Sequence, residues 1–139
     1  MPDLDPAGLP QAVRVAGTLA ARLGIELVQA SPERVVGTMP VAGNTQPDGL
    51  LHGGASCVLA ETLGSIGAVL HALRTHGGTA VGAELRATHH RPVRAGVVTG
   101  VATALSLGTV VCRYEVAVTD ADGERVCTAV LTCFLRSPG

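Results

Sequence analysis

The sequence contains no lysine and no tryptophan, and its aromatic side chains stop at Tyr114 and Phe134. A core without large rings has to be assembled from Ala, Val and Leu, which bury less area per residue. Association with a second copy is then an expected further source of stability. All ten basic residues are Arg, so any phosphate would be met by guanidinium groups, backbone amides or hydroxyls. The rigid, bidentate Arg fork suits that task. Charge is scarce in either sign: the net value is −1 at neutral pH, which gives no reason to invoke nucleic acid. Cys57, Cys112, Cys127 and Cys133 form no C-x-x-C pair and share no ligand spacing with His. Neither a zinc centre nor any other metal site or cofactor is therefore expected. The four read as reduced, buried thiols of a cytoplasmic protein. The start of the chain has no basic stretch leading into an apolar run, and no run of 18 apolar residues is evident elsewhere. Secretion and membrane spanning are both disfavoured on that reading.

What is present fits one domain of 139 residues, long enough to bury about two-thirds of its unfolded surface. Residues 1–10 hold three Pro and two Asp and read as a loose lead-in. Gln11 to Leu23 places Val15, Leu19, Ala20 and Leu23 at helical spacing, which predicts a short amphipathic helix ended by Gly24. Ile25 to Ala30 and Arg34 to Pro40 read as two short strands around the Ser31-Pro32-Glu33 turn. After a polar loop, Gly54 to about Arg74 reads as a helix of roughly five to six turns, stopped by Gly77-Gly78. It is apolar nearly all round, the mark of a helix buried in protein. Four strands follow: Thr79 to His90, Gly96 to Leu107, Thr109 to Thr119 and Arg125 to Arg136. In the first, Val81, Ala83, Leu85 and Ala87 alternate with Glu84, Arg86 and Thr88. Hairpin-like turns at Ser106-Leu107-Gly108 and Asp120-Ala121-Asp122-Gly123 make the later strands antiparallel neighbours. One buried helix covered by a curved antiparallel sheet is an α+β domain.

The chemistry concentrates between Asn44 and Ser65. Asn44 to Leu51 supplies turn-forming residues, Gln46, Pro47, Asp48 and Gly49 among them. His52-Gly53-Gly54 then opens the helix, where the first N–H groups are unpaired and the dipole end is positive. Such an end can hold a developing oxyanion. Glu61 is the one formally charged residue between there and Arg74, and a buried carboxylate must be offset by a partner or used. Ser65 sits one turn on, on the same face. His71 and His76, near the helix end, read as solvent-facing or capping.

Gln46…His52-Gly53-Gly54…Glu61…Ser65 resembles the hotdog-fold acyl-CoA thioesterases, in particular the 4-hydroxybenzoyl-CoA type with a helix-borne glutamate and the phenylacetate-pathway enzymes. The resemblance implies a hotdog fold, a curved antiparallel sheet around one long central helix, in homodimers often paired into tetramers. It implies an acyl-CoA substrate, and small helix residues such as Gly64 and Ala68 leave room for an aryl or medium-length acyl chain. Glu61 would be nucleophile or general base; Gly53 would supply the oxyanion amide. Gln46 would donate to the thioester or orient water, and His52 would assist hydrolysis or hold the loop. Ser65 would position water or the acyl group. His89 and Arg91 would lie near the CoA arm, and Thr109 and Arg113 would either meet its phosphates or lie on a solvated strand face. A non-catalytic acyl-CoA-binding domain would keep the glycine pair but would not need Glu61. A hydratase would need an Asp/His pair instead.

One geometric consequence concerns assembly. Gly53 and Glu61 are eight residues apart, about 12 Å along a helix, and the backward lean of the side chain recovers only ~3–4 Å. Two antiparallel central helices across a two-fold axis would close that gap. Each site is then expected to take Gln46, His52 and Gly53 from one subunit and Glu61 and Ser65 from the other.

Overall fold

A computed structural model describes residues 8–138. Two helices and six strands follow in order: α1 (Leu19–Arg22), β1 (Glu26–Ala30), β2 (Arg34–Pro40), α2 (Gly53–His76), β3 (Thr79–His89), β4 (Val97–Leu107), β5 (Val111–Thr119) and β6 (Arg125–Arg136). The strands form one antiparallel sheet in the order β1-β2-β4-β5-β6-β3. The long helix lies against the inner face of five of them, β2 to β6. This is the hotdog arrangement expected from the sequence, and β2 and β6 begin and end at the expected residues.

The helix is seated by a flat place in the sheet. Gly37 of β2 and Gly100 of β4 are direct cross-strand partners. A Cβ on either would lie 2.7 Å from a Leu63 methyl. Leu63, Leu59, Val98 and Val116 are fully buried around that point. By length and hydropathy α2 would pass for a membrane-spanning helix, with a mean hydropathy of 1.5 over its most apolar window. The sequence still holds no unbroken apolar run of that length, because Ser56, Glu61, Thr62 and Ser65 interrupt α2. Most of that window is packed inside the protein, as befits a core helix.

Three expectations need correction. Gln11 to Leu23 is not one helix: a 3-10 turn at Gln11–Val13 gives way to extended backbone, and the α-helix is confined to Leu19–Arg22. Gly17, at φ +78°, breaks the run, and Thr18 caps the short helix by accepting from the Ala21 amide. In β3 a bulge between Gly82 and Glu84 shifts the alternation, so Val81 is turned to the exposed face while Ala80 is buried. His71 does not face solvent; it is buried, with Nε2 2.8 Å from the Gly108 carbonyl. His76 does cap, its Nδ1 accepting from the Gly78 amide. Of the expected lead-in, residues 1–7 lie outside the described residues, while Leu9 is buried in the core.

Candidate active site

The entering loop is pinned before it reaches α2. Asn44 Nδ2 donates to the carbonyls of Leu23 and Pro40 at 2.7 and 2.8 Å, and the Asn44 carbonyl accepts from the His52 amide. Within the loop, Gln46 and Gly49 close a turn through the Gly49 amide. The Gln46 side chain hydrogen-bonds the Asp48 carboxylate, and that contact is the leading cause of the lowered Asp48 pKa. His52 is the N-cap of α2. Its Nδ1 accepts from the Gly54 amide at 2.8 Å, which places the ring proton on Nε2. The Gly53 N–H, at the first helical position, has no partner among the described residues. The ring of His89, the last residue of β3, packs on Gly53: a Cβ there would be 2.9 Å from His89 Nε2. Gln46, Gly53, His89 and Arg91 thus line one cavity of about 360 Å³. Arg91 at its rim is paired with Glu124 at 3.3 Å.

Glu61 and Ser65 line a different cavity. It measures about 340 Å³ and lies between α2 and the N-terminal segment, with Val15, Thr18 and Leu19 on one wall and Val58 and Val69 on the other. The expectation of a fully buried Glu61 is corrected here, since the side chain is exposed in the protomer. The sheet covers the opposite side of α2, whereas this side is bounded by the short N-terminal segment and by the edge of the sheet at Gly82 of β3. Ser65 lies beside the Cys133 thiol, which burial pushes up to about 11 against a lowering by the Ser65 hydroxyl. The two cavities share no lining residue.

Thr109 and Arg113 are not drawn into either cavity. Thr109 is exposed in the β4–β5 turn. Arg113 faces a groove on the outer side of the sheet beside Glu84, Arg86 and Thr132. Sequence reasoning missed the part played by the N-terminal segment, Val15 and Leu19 above all, in walling the Glu61 cavity. It also passed over Gly82, although a glycine inside a strand signals a close approach. Among the described residues no group of three or more His, Cys, Asp or Glu side chains could hold a metal ion.

A curved six-stranded antiparallel sheet packed around one long helix defines the hotdog class of fold. The model of the thioesterase superfamily matches residues 48–127, from the loop through the whole of α2 and on into β6. A proofreading thioesterase from Cronobacter turicensis is 45% identical over 117 residues, 84% of each chain. A thioesterase structure from Haemophilus influenzae superposes with a TM-score of 0.83 at 32% identity, covering 93% of this chain and 92% of that one. One from Pseudomonas aeruginosa gives 0.80 at 38% identity over 86% of each chain. The chain belongs to the thioesterase superfamily and is a thioester hydrolase.

Proposed function

We propose that the protein hydrolyses aryl- or medium-chain acyl-CoA thioesters to the free acid and CoA, in two sites shared across a homodimer. The observation that carries this reading is the separation of the chemistry into two cavities on one helix. Gly53 and Gln46 stand at one and Glu61 and Ser65 at the other, about 12 Å apart along the axis. Reacting groups must lie within roughly 3–3.5 Å of one carbonyl, so a second α2 running antiparallel completes each site. The unpaired Gly53 N–H receives the oxyanion as the carbonyl carbon becomes tetrahedral. Glu61 either takes a proton from the attacking water or attacks the carbon itself, giving an anhydride that water then opens. In both routes the C–S bond breaks, CoA leaves as thiolate and is protonated, and the acid is released. The apolar cavity beside Glu61 takes the acyl group. His89 and Arg91 stand near the CoA arm at the helix start; Thr109 and Arg113 would reach it only from elsewhere in a larger assembly, such as a pair of dimers. A CoA thioester as substrate and reduced thiols suit a cytoplasmic enzyme.

The test is release of free CoA thiol from a panel of acyl-CoAs, by protein dialysed against a chelator. Turnover should survive chelation and fall by at least about 10²-fold in Glu61→Gln, the low end of acid–base assistance. Binding of acyl-CoA without thiol release would make the chain a binding domain instead. Activity lost on chelation and restored by zinc would also refute this mechanism.

A further inference from the structure

The edge strand β3 contributes to the Glu61 site through a side chain it lacks. Gly82 is paired with Cys133 of β6, at the last regular position before the bulge that precedes Glu84. Cys133 is paired in turn with Cys112 of β5. This cross-strand row lies beneath the Glu61–Ser65 stretch in the middle of α2. Ser65 lies beside Cys133, and Glu61 reaches over Gly82. A Cβ on Gly82 would stand 2.7 Å from Glu61 Oε1 and 3.5 Å from the carboxyl carbon, whereas its nearest approach to any other residue, a Leu131 methyl at 3.6 Å, is ordinary contact. The carboxylate therefore rests on bare strand backbone.

We propose that Gly82 is a positioning residue for thioester hydrolysis, its missing side chain setting where the Glu61 carboxylate stands. The proposal rests on the reading of Glu61 as the reacting carboxylate. With a methyl at residue 82, Oε1 would have to retreat about 0.7 Å to reach ordinary contact at 3.4 Å. In the protomer the Glu61 side chain is exposed, so the retreat strains the protomer fold little. Its cost falls on reaction geometry, where a misplacement of about 1 Å is worth on the order of 10²-fold in rate.

Gly82→Ala should therefore lower kcat by about 10- to 100-fold while KM stays within about two-fold, because ground-state binding is untouched. Its melting temperature should stay close to that of the parent. A glycine needed only for the bulge would behave otherwise: its replacement would lower the melting temperature and ignore the length of residue 61. Glu61→Asp supplies the discriminating background. It withdraws the carboxylate by one methylene, about 1.5 Å, and leaves the new methyl nothing to displace. Gly82→Ala should then cost no further activity, giving strong coupling in the double-mutant cycle. Should Gly82→Ala alone not fold, the double variant compared with Glu61→Asp carries the same test. Near-normal turnover in Glu61→Gln would remove Glu61 from the chemistry, and Gly82 with it. With Glu61→Gln inactive, a Gly82→Ala enzyme of normal kcat, or losses that simply multiply in the double variant, would overturn the role of Gly82 alone.

Discussion

Leu63→Ala is the sharpest probe of how the sheet seats its helix. Leu63 is fully buried, and its two methyls press on the backbone of Gly37 and Gly100. Truncating a buried Leu costs about 2–5 kcal/mol, depending on how far the site can collapse. Here two walls of the hole are glycine backbone held by the β2–β4 ladder, and neither brings a side chain that could swing in. The expected loss is therefore in the upper half, about 3.5–5 kcal/mol. For a chain of 139 residues that is a drop of roughly 10–20 °C in melting temperature. Gly100→Ala tests the same seat from the other side. Its Cβ would meet Leu63 at 2.7 Å and Leu59 at 3.2 Å, an overpacking that should cost about 1–3 kcal/mol. Urea unfolding at one fixed protomer concentration measures both, since a dimer's apparent stability depends on concentration. A Leu63→Ala protein destabilised by less than about 2 kcal/mol would mean that the seat relaxes and does not fix α2.

Two other outcomes are expected. His52→Ala should lose about 0.5–2 kcal/mol of stability, as an N-cap does, with Asn restoring most of it; a collapse of kcat at unchanged stability would instead put the imidazole in the chemistry. Cys112, Cys127 and Cys133 are fully buried and Cys57 only partly so, so thiol reagents should modify Cys57 first and the others only on unfolding. Burial raises Cys133 from 9.0 to about 11, so the native state holds a proton that the unfolded chain releases. That contribution is intact below about pH 9 and is lost as pH rises towards 11. Stability rising over that range would contradict the burial of this thiol.

The regular elements were legible because their signals are local. Gly77, at φ +73°, ends α2 as its position predicted, and the Val- and Thr-rich runs became strands within a residue or two. The turn, cap and helix from Gln46 to Ser65 were legible for a similar reason, being contiguous in the chain. Contacts between distant segments were not. Nothing near Glu61 in sequence tells that the N-terminal segment walls its cavity or that Gly82 of β3 lies under its carboxylate. The alternation of β3 carried no mark of the bulge except Gly82 itself, and His71 looks like a helix-end histidine until the Gly108 carbonyl is brought to it. Arg113 and Thr109 were placed by chain order, which does not say which face of the sheet a residue takes.

The shared site is tested most directly by mixing two damaged chains. Glu61→Ala and Gln46→Ala proteins, each inactive as a homodimer, are unfolded together at equal concentration and refolded, beside a wild-type control. Random pairing makes half the dimers mixed, each with one intact and one doubly damaged site, so about a quarter of wild-type activity should return. A mixture that forms heterodimers yet stays as inactive as its parents, while the wild type refolds active, would contradict the shared-site account.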